Sequence, residues 1–115
     1  MSYTDHAAQA RSYSRTASAA TRKAESEAHK AQGWYLAAAQ QRRLAALLTS
    51  RGPGNWYPEA GYTPAALEDE VRAFERLGDS YLRSSFSATG SAAHYRDLAA
   101  SYRDMAASQA GRLAS

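Results

Sequence analysis

With cysteine absent, the residues best suited to bind a metal or move a proton are three histidines, His6, His29 and His94, and the carboxylates near them; nothing in the pattern of Ser, Asp and Arg points to an enzyme built from those. Glu25 and His29 stand four residues apart and His94 and Asp97 three apart, so each pair shares a helical face and can hydrogen-bond. A metal centre in a helical bundle asks for more. It needs Glu-x-x-His or comparable ligand sets converging from several helices, and no Glu stands three residues before any of the histidines. G-x-S-x-G, the phosphate loop and G-x-G-x-x-G are all missing, and Gly52-Pro53-Gly54 has neither the length nor the lysine to cradle phosphate. The expectation is a protein with no catalytic residues, no cofactor and no metal, and not an enzyme.

Two other groups of residues point to binding. Arg11, Arg15, Arg22 and Lys23 lie on a Ser/Thr-rich segment, and Arg42, Arg43 and Arg51 flank a Leu-rich turn. Arg11 with Arg15, and Arg15 with Arg22, share a face at helical spacing, which suits nucleic acid or an acidic partner, and Tyr13 can stack on a base. The plainer reading of Arg11, Arg15, Arg22, Lys23, Arg42 and Arg43 is a solvated helix face. Residues 51–63 hold Trp56, Tyr57 and Tyr62 around Pro58 and Gly61. Trp and Tyr offer large contact area with few rotamers to freeze, so this loop is a candidate partner site, or else Trp56 and Tyr62 fold back to plug the end of a bundle.

A third group is periodic. Tyr95-Arg96-Asp97-Leu98-Ala99-Ala100-Ser101 is followed directly by Tyr102-Arg103-Asp104-Met105-Ala106-Ala107-Ser108. The repeat places Tyr95, Leu98, Tyr102, Met105 and Gln109 on one stripe of a helix, with both Arg-Asp pairs facing away. Tyr95, Leu98, Tyr102 and Met105 therefore serve either as core or as a surface for self-association and oligomer formation.

The elements that position these groups are helical. With 27 Ala, one Val and no Ile, strands are poorly supported. The series Ala7, Ala10, Ser14, Ala17, Thr21, Ala24, Ala28, Ala31, Tyr35, Ala38, Arg42 and Ala45 alternates steps of three and four. Ser2 with Asp5 resembles a capping box that starts a first helix near Tyr3. Gly33 invites a break, Gly52-Pro53-Gly54 ends the helical run, and Thr63-Pro64 starts the next helix. Leu67, Val71, Phe74, Leu77, Tyr81 and Leu82, closed by Phe86, form the best core face, and Thr89-Gly90-Ser91 interrupts it. The spacing thus predicts helices over about 3–32, 34–50, 64–87 and 91–113.

The predicted fold class is all-α: an antiparallel helical bundle or extended helical hairpin with a heptad, coiled-coil-like C-terminal helix. Residues 1–115 read as a single domain, with 1–33 an Ala/Ser/Arg-rich arm or lid and 34–113 a better-packed core. Large side chains are concentrated downstream, which favours a compact bundle of the last three helices over the hairpin. Only 12 residues are Leu, Val, Ile or Phe, so the helical surface exceeds what bulky side chains can seal. The N-terminal third, with its seam of Ala, should be the least stable part.

Residues 1–54 carry eight Arg/Lys against three acids and residues 55–115 six against eight, so the halves can attract one another. Twelve Arg to two Lys with abundant Ala suggests a bacterial or phage origin. No long apolar run or signal-peptide block is present, and a cytoplasmic protein is expected. In layout the chain resembles the small secreted WXG-type proteins: short, Ala-rich and cysteine-free, with a Trp between helices. Its turn reads Trp56-Tyr57-Pro58 without Gly two residues after Trp, and neither Tyr95 nor Tyr102 has an acid four residues later. The likeness therefore stops at layout and carries no function over. The expected function is a non-enzymatic helical protein–protein interaction module: an adaptor, an assembly component, or an inhibitor that blocks a larger machine. The alternative is nucleic-acid binding through the N-terminal arginines.

Overall fold

Asp5 sets the start of the first helix. Its carboxylate Oδ1 accepts the Ala8 N–H at 2.9 Å and its carbonyl accepts the Gln9 N–H at 3.1 Å, so Asp5 is itself the N-cap. The expected Ser2 capping box lies outside the described residues, because the computed structural model describes residues 5–114. Two α-helices account for most of these: α1, His6–Arg51, and α2, Pro64–Ala114. Two short 3-10 turns, Pro53–Asn55 and Pro58–Ala60, lie between them, and the described residues form no strand beyond an isolated bridge from Tyr57 to Tyr62.

Neither predicted interruption occurs. Gly33 lies within α1 and Gly90 within α2, both exposed with open space around them. A helix-interior glycine costs about 1 kcal/mol relative to Ala, too little to end a helix that packing holds on both sides. Thr89 lies within the helix and donates its hydroxyl to the Ser85 carbonyl at 3.0 Å, which leaves that hydroxyl satisfied without a break in the backbone. With α2 unbroken, the expected bundle of three shorter helices does not form. The predicted start of α2 does: Thr63 Oγ1 accepts the Ala66 N–H at 3.2 Å, with Pro64 at the first helical position.

The contacts group the chain into two compact units. Unit 1 joins Met1–Ser26 to Ser85–Ser115, and unit 2 is Glu27–Ser84. In unit 2, Gln41 meets Glu70, Arg42 meets Glu75 and Tyr35 meets Asp79, the descending order of an antiparallel pair. In unit 1, Tyr13 meets Tyr95 and Tyr102 while Ala24 meets Ser85, the same order.

Each helix carries a line of buried positions that recurs every seven residues. In α1 they are Ala10, Ala17, Ala24, Ala31, Ala38 and Ala45, as the 3/4 alternation implied, with Leu48 buried beside them. In α2 they are Val71, Gly78, Ser85, Ala92 and Ala99, with Leu67 and Ala88 buried beside them. Small residues on the buried line allow close helix approach. Gly78 shows how close: a methyl group there would lie 2.7 Å from the Tyr35 ring. Ser85, also buried, donates its hydroxyl across the pair to the Ala24 carbonyl at 2.8 Å.

This register corrects the expected core faces. Leu67 and Val71 are buried and Phe74, Tyr81 and Leu82 half-buried, but Leu77 and Phe86 are exposed, Phe86 by 67 %. They sit one residue before Gly78 and one after Ser85, about 100° around the helix from the buried line. In α1 Leu48 is buried and Trp34 and Leu44 half-buried, whereas Leu36 and Leu47 face solvent. On the heptad repeat, Ala99 is buried, Tyr95, Leu98 and Tyr102 half-buried, and Met105 exposed.

Candidate interaction faces

The inter-helix loop builds inward. Gly52 at φ +86° turns the chain out of α1, a conformation that favours glycine. Trp56 then folds back so that its indole N–H donates at 2.9 Å to the Leu48 carbonyl, which also accepts the Gly52 N–H at 3.0 Å. Its ring and Tyr62 pack on the cluster of Ala45, Leu48 and Leu67. Tyr57 and Tyr62 exchange backbone hydrogen bonds of 2.9 and 3.0 Å. Of the three aromatic candidates, Trp56 and Tyr62 thus close the end of unit 2, and Tyr57, 62 % exposed, presents its ring to solvent.

Tyr95 and Tyr102 face their own chain. Tyr13 lies against both, with ring centroids 6.0 and 5.4 Å apart, and His6 lies 5.8 Å from Tyr102. Tyr13, considered above as a stacking surface for a base, is engaged in this ladder. The Nδ1 of His6 is buried within it and has no hydrogen-bond partner. Leu98 is half-buried, which leaves Met105 the most exposed of the four self-association candidates.

The basic candidates divide between the units. Arg42 and Arg43 belong to unit 2, where Arg42 forms an ion pair with Glu75. Unit 2 also pairs Arg72 with Asp69 and Lys30 with Glu27, and Gln41 donates to Glu70 at 2.6 Å. The Tyr35 hydroxyl donates to Asp79 at 2.5 Å. That bond holds the phenol's pKa above its usual value, since ionisation would break the bond and set two negative charges together; partial desolvation adds in the same direction.

Arg11, Arg15, Arg22 and Lys23 belong to unit 1 and are exposed. Arg11 and Arg15 line a groove of about 390 Å³ together with Arg103 of α2, over Ala7, Ala10 and Ala106. A second depression of about 270 Å³ continues along Ser14, Arg15, Ser18 and Arg22. Among the described residues, none of Arg11, Arg15, Arg22, Lys23 and Arg103 forms an ion pair. Arg96 donates to the Thr21 hydroxyl at 2.7 Å. Sequence reasoning missed Arg103, which it grouped with Asp104 as turned away. The available signal was its seven-residue spacing from Arg96.

Net charge sharpens the division. Unit 1 holds seven basic residues against four acidic ones and unit 2 seven against seven, so the chain's net +3 resides in unit 1.

No group of three or more His, Asp or Glu side chains among the described residues could hold a metal ion. No helix there is long and apolar enough to cross a membrane. Compared with protein-family models, curated proteins and solved structures, the chain matches none of them.

Proposed function

We propose that this chain is a non-enzymatic helical module whose product is an interface with another protein, serving as an adaptor, an assembly component or an inhibitor of a larger machine. One observation carries the reading. Apart from Val71, small residues occupy the buried lines of both helices, while Phe86, Tyr57 and Leu36 stand 67, 62 and 58 % exposed. A helix pair that closes mostly on Ala, Gly and Ser leaves several of its larger apolar side chains to be covered from outside.

The test is site-specific photo-cross-linking from positions 36, 57 and 86 in the cell that makes the protein. A discrete adduct from at least one position, lost when a neighbouring exposed apolar residue becomes Ala, is expected. Smears indistinguishable from those of a control placed at exposed Ala19 would sink the reading. A second reading, nucleic-acid binding, draws support from Arg11, Arg15, Arg22 and Arg103, which form no ion pair among the described residues. It requires retention on DNA or RNA that falls steeply with salt.

A further inference from the structure

We infer that the groove of unit 1 bounded by Arg11, Arg15 and Arg103 receives an acidic amphipathic helix of a partner protein. This deepens the protein-interaction reading and rests on it. Three features of the groove lead there.

First, its charge is unbalanced. Arg11 and Arg15 of α1 and Arg103 of α2 line it, and no acidic side chain does. Like charges gathered in one groove repel, and a negative occupant relieves that repulsion. The contrast is a groove of unit 2 lined by Arg72, Glu75, Arg76 and Asp79, where the charges already cancel.

Second, the floor is apolar. Ala7, Ala10 and Ala106 present methyl groups between the arginines. A phosphodiester backbone gains nothing from such a floor, whereas an aliphatic side chain gains by burial. An occupant with carboxylates at the rim and an apolar side chain below is an amphipathic acidic segment.

Third, the cationic track runs along a helix. Arg11, Arg15 and Arg22 follow at intervals of four and seven residues, and Ser14 and Ser18 lie among them. From Arg11 to Arg22 the track spans about 16 Å at the α-helical rise. A partner helix laid along α1 would match it with acids at the same intervals and Leu or Ile between them. The trough between two antiparallel helices is where the ridge of a third packs.

Fluorescence anisotropy on the full chain tests this. The probe is a labelled helical peptide of about twenty residues with Glu at intervals of four and seven and Leu on the same face. Controls are a peptide of the same composition with Glu and Leu scattered around all faces, and a labelled oligothymidylate. The patterned peptide should bind about tenfold more tightly than the scattered one. Arg15→Glu with Arg103→Glu should abolish that preference, and a Lys-for-Glu peptide should restore binding to the double variant. Arg72→Glu with Arg76→Glu, in the balanced groove, should change nothing. Equal binding of both peptides, no binding of either, tighter binding of the oligonucleotide, or indifference to the Arg15/Arg103 reversal overturns the inference. The photo-cross-linking experiment is independent of these arginines. Adducts from positions 36, 57 or 86 together with a failed peptide assay remove the groove and leave the interaction module standing.

Discussion

Units 1 and 2 draw on the same two helices and the same seven-residue spacing, yet they are held together by different forces. Unit 2 buries Leu48, Leu67 and Val71 beside its alanines, seals its end with Trp56 and Tyr62, and pairs Arg42, Arg72 and Lys30 with acids. The buried set of unit 1 is Ala10, Ala17, Ala24, Ser85, Ala88, Ala92 and Ala99, with no bulky side chain among them. In their place it has a half-buried ladder of His6, Tyr13, Tyr95 and Tyr102, and among the described residues its Arg11, Arg15, Arg22 and Arg103 form no ion pair. The comparison separates two ways of closing one repeat: unit 2 adds bulky apolar burial and internal ion pairs to its small residues, whereas unit 1 closes on small residues and aromatic rings, with those four arginines outside any ion pair among the described residues.

Four substitutions test that division. The largest effect is expected from Leu48→Ala, which removes a side chain only 2 % exposed from the apolar cluster of unit 2. It should cost about 2–5 kcal/mol in urea unfolding followed by helicity. A loss no larger than that from an exposed alanine scan would show that unit 2 is not anchored there. Next comes Ala17→Leu in unit 1. It overfills a tightly closed line and should cost about 1–3 kcal/mol, while Ala19→Leu, on the exposed side, should be close to neutral. Equal effects at the two positions would break the claim that unit 1 depends on small residues.

Ser85→Ala is expected to be milder. It removes the hydroxyl that reaches the Ala24 carbonyl, at a cost of about 1 kcal/mol. Ser87→Ala, at an exposed position, is the control. The smallest effect concerns pH. The Tyr35 phenol has its pKa raised by Asp79, so its contribution is fully present below the ordinary value of 10.0 and is lost as pH rises through the raised value. Tyr35→Phe should therefore flatten the alkaline decline in stability. Parallel curves for the two proteins above pH 10.0 would show that the bond does not persist in solution. The exposed setting keeps the effect small.

The alanine line of α1 was legible because its six members keep one spacing without exception. Thr63-Pro64 was legible because capping chemistry is local. The buried line of α2 was not. Leu77 and Phe86 look like core by residue type, and nothing within α2 marks Gly78 and Ser85 as buried. Gly78 is buried because the Tyr35 ring lies over it, and Ser85 because it reaches the Ala24 carbonyl. Both reasons reside on the other helix. The glycines at 33 and 90 misled in the opposite way, since a local penalty was read without the packing that outweighs it.

The candidate site divides along the same line. Arg11, Arg15 and Arg22 share one helix and could be grouped from their spacing. Arg103 joins them only through the pairing of α1 with α2, and the Ala7, Ala10 and Ala106 floor likewise exists only as a product of that pairing.

The bare backbone at Gly78 has a further bearing, on alignment. Rows of near-identical alanines repeating every seven residues pack almost as well after sliding by one repeat, so methyl contacts alone cannot tell the correct alignment from its neighbours. Sliding α2 by one repeat would bring Val71 or Ser85, each with a side chain bulkier than hydrogen, beneath the Tyr35 ring, whereas the Ser85 hydroxyl would meet an equivalent backbone carbonyl at Ala17 or Ala31. One missing methyl thus acts as the index mark that keeps two repetitive helices from settling a notch away.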